Sequence, residues 1–206
     1  MVTKRRFVEA MKGEENLHRE VWCVVNRQIE HAKKEQRGST YDYLVSMVFA
    51  FHALEGYLNF VGEKIDPPLW TTEKALFGSS LFVKMAKVCE LCGIAAPARG
   101  ERPYSTVKEL ERLRDNIAHP KIQKPKSSTT FTEGKTPPRF QKTYLQATVN
   151  RAKALRARED VAQLVEQLIH PAALVKFPEL RLTLGDKGLT GIMAMHTHHT
   201  TLTSDA

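Results

Sequence analysis

Through residues 14–36 the apolar positions Leu17, Val21, Val24, Val25, Ile29 and Ala32 fall three or four apart, the spacing of one helix face, and Gly38 ends the pattern. A second series follows over 41–65, where Leu44, Val48, Phe51, Leu54, Leu58, Val61 and Ile65 recur at the same interval. Ser39 or Thr40 can cap that helix, and "DPP" at 66–68 stops it. A third apolar stretch, Thr72 to Cys92, closes on Gly93. "APARGERPYS" reads as a loop, after which Ser105 or Thr106 opens a short helix with Lys108 to Ala118 as its body. The last long series, Leu145 to Leu168, carries Leu145, Val149, Ala152, Leu155, Val161, Leu164, Val165 and Leu168, and Pro171 is expected to break it. Strand-like alternation is nearly missing, so the pattern predicts an all-α, antiparallel bundle of about five helices.

Between these helices the pattern lapses in places that set the organisation. Residues 1–13 read as an N-terminal extension, 14–170 as the helical domain and 171–206 as a tail, whose end "HTHHTTLTSDA" is most simply disordered. Within the domain, 121–143 hold three prolines, one glycine and many hydroxyl residues, which predicts an exposed insertion with a weak hairpin near Glu133 and Gly134.

A chain of 206 residues, 42% hydrophobic, can bury one sizeable core. No run approaches the ~18 consecutive apolar residues of a membrane span, and "MVTKRRFVEAMKGEEN" lacks the apolar segment and cleavage site of a secretory signal. Three cysteines do not form a disulfide framework, which fits a reducing cytoplasm. The net charge of +8 is concentrated: residues 120–160 hold ten Lys and Arg against three Asp and Glu. A phosphate-bearing partner fits that window, and so does solvated charge without a partner.

Polar residues interrupt the apolar faces twice. His52, Glu55 and Asn59 lie at i, i+3 and i+7 on the second helix, within an otherwise apolar face. A carboxylate there needs a partner, and Arg114 is one candidate. The second place is "ELERLRDNIAHPK", whose helix is expected to bury Leu110, Leu113 and Ile117 while carrying Arg114 beside that stripe and stopping on His119. Five residues apart, Arg114 and His119 sit about 140° apart on an ideal helix. Pro120 pushes His119 out of helical geometry and lets its ring swing. His119 as a helix cap beside a surface Arg114 is the competing reading.

"RDNIAH" at 114–119 matches the Arg-x4-His signature of HEPN domains, and "FHALEGYLNFVGEKI" resembles the Glu- and Asn-bearing helix that precedes it in many members. The resemblance spans residues 14–170 in helix order and about twenty residues in motif. It implies a homodimer in which two copies of the signature line one cleft, and a metal-independent endoribonuclease that needs no cofactor. Arg114 would then bind the scissile phosphate and His119 would serve as general base or acid. Asp115 would orient one of them, with Glu55, Asn59, His52 and Asn116 as supporting groups. Lys121, Lys124, Lys126, Arg139 and Arg151 would guide RNA. Toxin-type members work with an antitoxin-like or nucleotidyltransferase partner that modifies a tyrosine two residues after the histidine; Lys121 stands there in this chain. Many members are non-catalytic dimerisation or nucleotide-binding modules, so toxin action, phage defence, RNA processing and a binding role all remain open at this stage.

Smaller signals point to no metal site. "CELC" (Cys89, Cys92) lies within a helical pattern without a second pair. Tail residues His196, His198 and His199 suit a polar end as well as a loose metal site. Gly56 and Gly62 each cost about 1 kcal/mol inside a helix, which a close helix crossing would justify. Trp22 and Trp70 read as packing residues.

Overall fold

The computed structural model describes residues 7–35, 37–72, 80–122, 143–190 and 194–202, the first eight and last nine of these as backbone. The body is all-α, as the periodicity predicts. Helices α1 (Leu17–Lys34) and α2 (Ser39–Ile65) pack along each other, and α3 (Pro67–Thr71), α4 (Leu81–Cys92), α5 (Tyr104–Ala118) and α7 (Arg151–Ala162) also pack on α2. Helix α2 is therefore the axis of the core, burying Met47, Ala50, Phe51, Leu54, Leu58 and Val61. Among the described residues it alone is long and apolar enough to cross a membrane, and half of that stretch is buried by its neighbours.

Two glycines explain how closely α2 is approached. A Cβ at Gly56 would stand 3.0 Å from the His18 Cβ of α1, and one at Gly62 would enter the Trp70 ring of α3. The close approach that would justify these glycines is present at both. Helix α4 ends at Gly93, whose φ of +75° suits a residue without a side chain.

The last helical series departs from expectation in three ways. It is not continuous from Leu145 to Leu168: α6 (Tyr144–Thr148) stops at Val149, and Asn150 starts α7 by accepting from the Lys153 N–H at 3.0 Å. Thr143 and Gln146 form a capping box around the start of α6. Nor does Pro171 break the chain. A π-helix (Gln163–Ile169) runs directly into α8 (His170–Lys176), with the His170 N–H bonded to the Val165 carbonyl. Proline cannot donate and crowds the carbonyl four residues back; the wider π turn just before it relieves that crowding.

The third departure is the tail. Leu180 and Leu184 of α9 (Leu180–Leu184), and Leu189 after it, are core residues, so the packed body continues past 170. Residues 194–202, of which 196–202 belong to the end expected to be disordered, form β2 (Ala194–Leu202), paired antiparallel with β1 (Phe7–Glu15) from Phe7 opposite Leu202 to Glu15 opposite Ala194. Every second position of these segments is not apolar, which is why alternation gave no sign of them. Most of the 121–143 insertion, including Glu133 and Gly134, lies outside the described residues.

Candidate functional site

Leu110 and Leu113 bury one face of α5 against the core, and that fixes where the polar residues of its last turns point. Arg114 follows directly and lies at the boundary of the buried face. Its guanidinium carbon sits 4.9 Å from the centre of the fully buried Phe51 ring of α2, an arrangement with cation–π attraction. One terminal nitrogen pairs with Asp115 at 2.8 Å. Asp115 is thus the ion-pair partner of the arginine. The Arg114 Nε is buried and hydrogen-bonds to nothing among the described residues.

Helix α5 ends at Ala118. His119 has left helical geometry (φ −126°, ψ 64°), with its N–H bonded to the Asp115 carbonyl at 2.9 Å. This is the turn-out that Pro120 predicts. Arg114, Asp115, Asn116, His119 and Lys121 together line one open depression of about 430 Å³. The imidazole side of this set is exposed, whereas the arginine is partly buried. Asn116 donates one amide N–H to the Arg112 carbonyl at 2.7 Å. Ile117 is 38% exposed instead of buried, and Ile122 is 88% exposed, leaving apolar surface on both sides of His119. The reason is geometric: the helix projects past the core at its last turn.

The polar line on α2 lies in a neighbouring groove. His52, Glu55 and Asn59 line it with His18, Phe49, Phe60 and others, enclosing about 510 Å³. Arg114 is not the ion-pair partner of Glu55. That role belongs to Lys84 of α4, whose ammonium lies 3.7 Å from the carboxylate and donates to Asn59 Oδ1 at 3.0 Å. His52, 3.7 Å from Glu55, does most to hold that carboxyl below its usual range; Lys84 and Arg114 add to this, and partial burial works against them. Arg114 thus reaches Glu55 only as a longer-range charge. Lys84 was invisible in the sequence because a lysine in an apolar helix looks like surface; its partner lies on another helix.

Of the basic residues assigned to RNA, Lys121 borders the depression and Arg151 is exposed at the start of α7. Lys124, Lys126 and Arg139 lie outside the described residues. Part of the basic window is neutralised internally, because Glu109 accepts from Arg156 and pairs with Lys153. No group of three metal-ligating side chains occurs among the described residues. Burial pushes the Cys89 and Cys92 thiols up to about 11, as in packed helix cysteines.

Comparison with protein families, with curated proteins and with solved structures finds no match to this chain.

Proposed function

We propose that the chain is a cytoplasmic, homodimeric endoribonuclease of HEPN type that cleaves RNA by attack of the ribose 2′-hydroxyl. The observation that carries this reading is the α5 depression, where a guanidinium held by Phe51 and Asp115 shares one wall with the solvent-open imidazole of His119. RNA supplies its own nucleophile, so the protein has only to move protons and stabilise charge. His119 accepts the 2′-hydroxyl proton, the 2′-oxygen bonds to phosphorus, and the bond to the 5′-oxygen breaks. Arg114 carries the negative charge that gathers on the non-bridging oxygens, for which its forked donors suit better than an ammonium. The leaving oxygen takes a proton from a second imidazole, the partner copy's, giving a 2′,3′-cyclic phosphate and a free 5′-hydroxyl. Exposed Ile117 and Ile122 beside the site support the pairing of two copies there.

The test is cleavage of end-labelled RNA by the purified chain in the presence of EDTA, with product ends identified by mass spectrometry. Cyclic-phosphate ends from the wild type, lost in His119→Ala, are expected. Equal behaviour of the two proteins overturns the enzyme reading, and a dimer that binds RNA or nucleotide without cutting it establishes the non-catalytic alternative.

A further inference from the structure

The start of α1 meets the chain between α9 and β2 in a buried polar cluster that shares no residue with the α5 depression. Asn16 donates to the Thr183 carbonyl (3.0 Å), and Arg19, only 1% exposed, donates to the carbonyls of Lys187 (2.9 Å) and Gly188 (3.4 Å). Two histidines complete it: His18 Nε2 lies 3.1 Å from the Gly188 carbonyl and His170 Nε2 lies 3.1 Å from that of Gly185. A carbonyl only accepts, so both rings carry a proton on Nε2. His170 Nδ1 is then an acceptor, and the Tyr57 hydroxyl, 3.2 Å away, donates to it. Gly188 is seated so tightly that a Cβ there would lie 2.7 Å from both Tyr57 and Val165.

We propose that His18 and His170 form an acid-operated latch: neutral, they hold residues 180–190 on the helical body, and protonated, they let that segment go. The geometry supplies the reason. A second proton on His170 Nδ1 would point at the hydroxyl that now donates to it, and a charge on His18 would lie within a cluster that already holds the Arg19 cation. The charges facing each ring are mixed in sign, and burial is the largest influence on both. Around His18 stand Arg19 on α1, Tyr57 on α2 and His170 on α8, with Glu15, His52, Glu55 and Glu63 along the adjoining groove. Burial, then Arg19 and His170, outweigh the Gly188 bond and lower His18 to about 4. Around His170 stand Tyr57, Arg19, Asp186 and Arg181; burial dominates and lowers its pKa, with Asp186 alone among these charges opposing. A histidine whose folded pKa is lowered costs no stability above about 6.5, and destabilises the closed state increasingly as pH falls from there toward the folded value. Release would take Leu180, Leu184 and Leu189 out of the core and uncover the apolar floor beneath them.

The experiment is hydrogen exchange by the full chain at pH 7.5 and pH 5.0, corrected for the intrinsic effect of pH. Each histidine raises the opened population by up to about tenfold per pH unit below about 6.5, so protection of residues 180–190 is expected to fall at least tenfold while α2 stays protected. The double variant H18Q/H170Q keeps a donor at each position but cannot take the proton, and is expected to hold the segment at both pH values. Unchanged protection in the wild type, or equal acid opening of the double variant, overturns the latch. Should the double variant not fold, NMR titration of wild-type His18 decides alone: a midpoint well below 6.5 supports the latch, and one at or above 6.5 sinks it.

Discussion

The two polar regions of this molecule, the clasp at Asn16–Arg19 and the depression at Arg114–His119, use the same residue types to opposite ends. In the clasp an arginine and a histidine are buried and their donors go to the backbone carbonyls of Lys187 and Gly188. In the depression an arginine and a histidine stand at the surface, and the arginine keeps a buried nitrogen that bonds to nothing among the described residues. Residue type alone therefore does not tell the two regions apart. Burial and partner do: the donors of the first end on backbone carbonyls, whereas the second opens to solvent. Mutations in the first region are therefore expected to cost stability, and mutations in the second to cost activity.

The largest effect expected on this division is kinetic. His119→Ala and Arg114→Ala each lower RNA cleavage by about 10²-fold or more, while unfolding of His119→Ala in urea stays within about 0.5 kcal/mol of wild type because the ring is exposed. A comparable loss of stability in His119→Ala would erase the contrast between the regions. Next comes Arg19→Met, which removes charged donors from the carbonyls of Lys187 and Gly188 and is expected to destabilise by about 2–4 kcal/mol, with cleavage by the folded fraction unchanged. A neutral result in urea would mean that the clasp contributes nothing. Gly188→Ala follows, since its added methyl must displace Tyr57 or Val165, at about 1–3 kcal/mol; thermal unfolding measures it.

This contrast also marks how far the sequence could be read. The apolar spacing of Leu44 to Ile65 and of Leu17 to Ala32 defined α1 and α2, and "RDNIAHP" located a helix end because proline acts on its immediate neighbour. Such signals are local. The clasp joins residues about 170 positions apart, and nothing near His18 or Arg19 announces that Gly188 will receive them. For the same reason Leu180, Leu184 and Leu189 looked like a tail: too few apolar residues stand together there to show a period, yet each is buried by partners distant in sequence. Asn150 and the Thr143/Gln146 capping box were legible cap signals that the apolar run from Leu145 to Leu168 masked. Phe51, by contrast, was placed in the core correctly, but its contact with Arg114 depends on how α5 crosses α2.

The smallest effect expected is at Glu55, which lies between the two regions in kind: half-buried, paired with Lys84, and reached by the Arg114 charge. Its folded pKa is lowered, so its ionised form contributes stability above the unfolded value near 4.5 and loses that contribution as pH falls through the folded value. Glu55→Gln is accordingly expected to lower stability by less than about 1 kcal/mol at pH 7, with the difference from wild type shrinking below pH 4.5. If Glu55 also keeps Arg114 aligned, cleavage by Glu55→Gln falls more than its stability does, and the group belongs with the depression. If both change together, Glu55 serves the packing of α4 on α2, where Lys84 pairs with it.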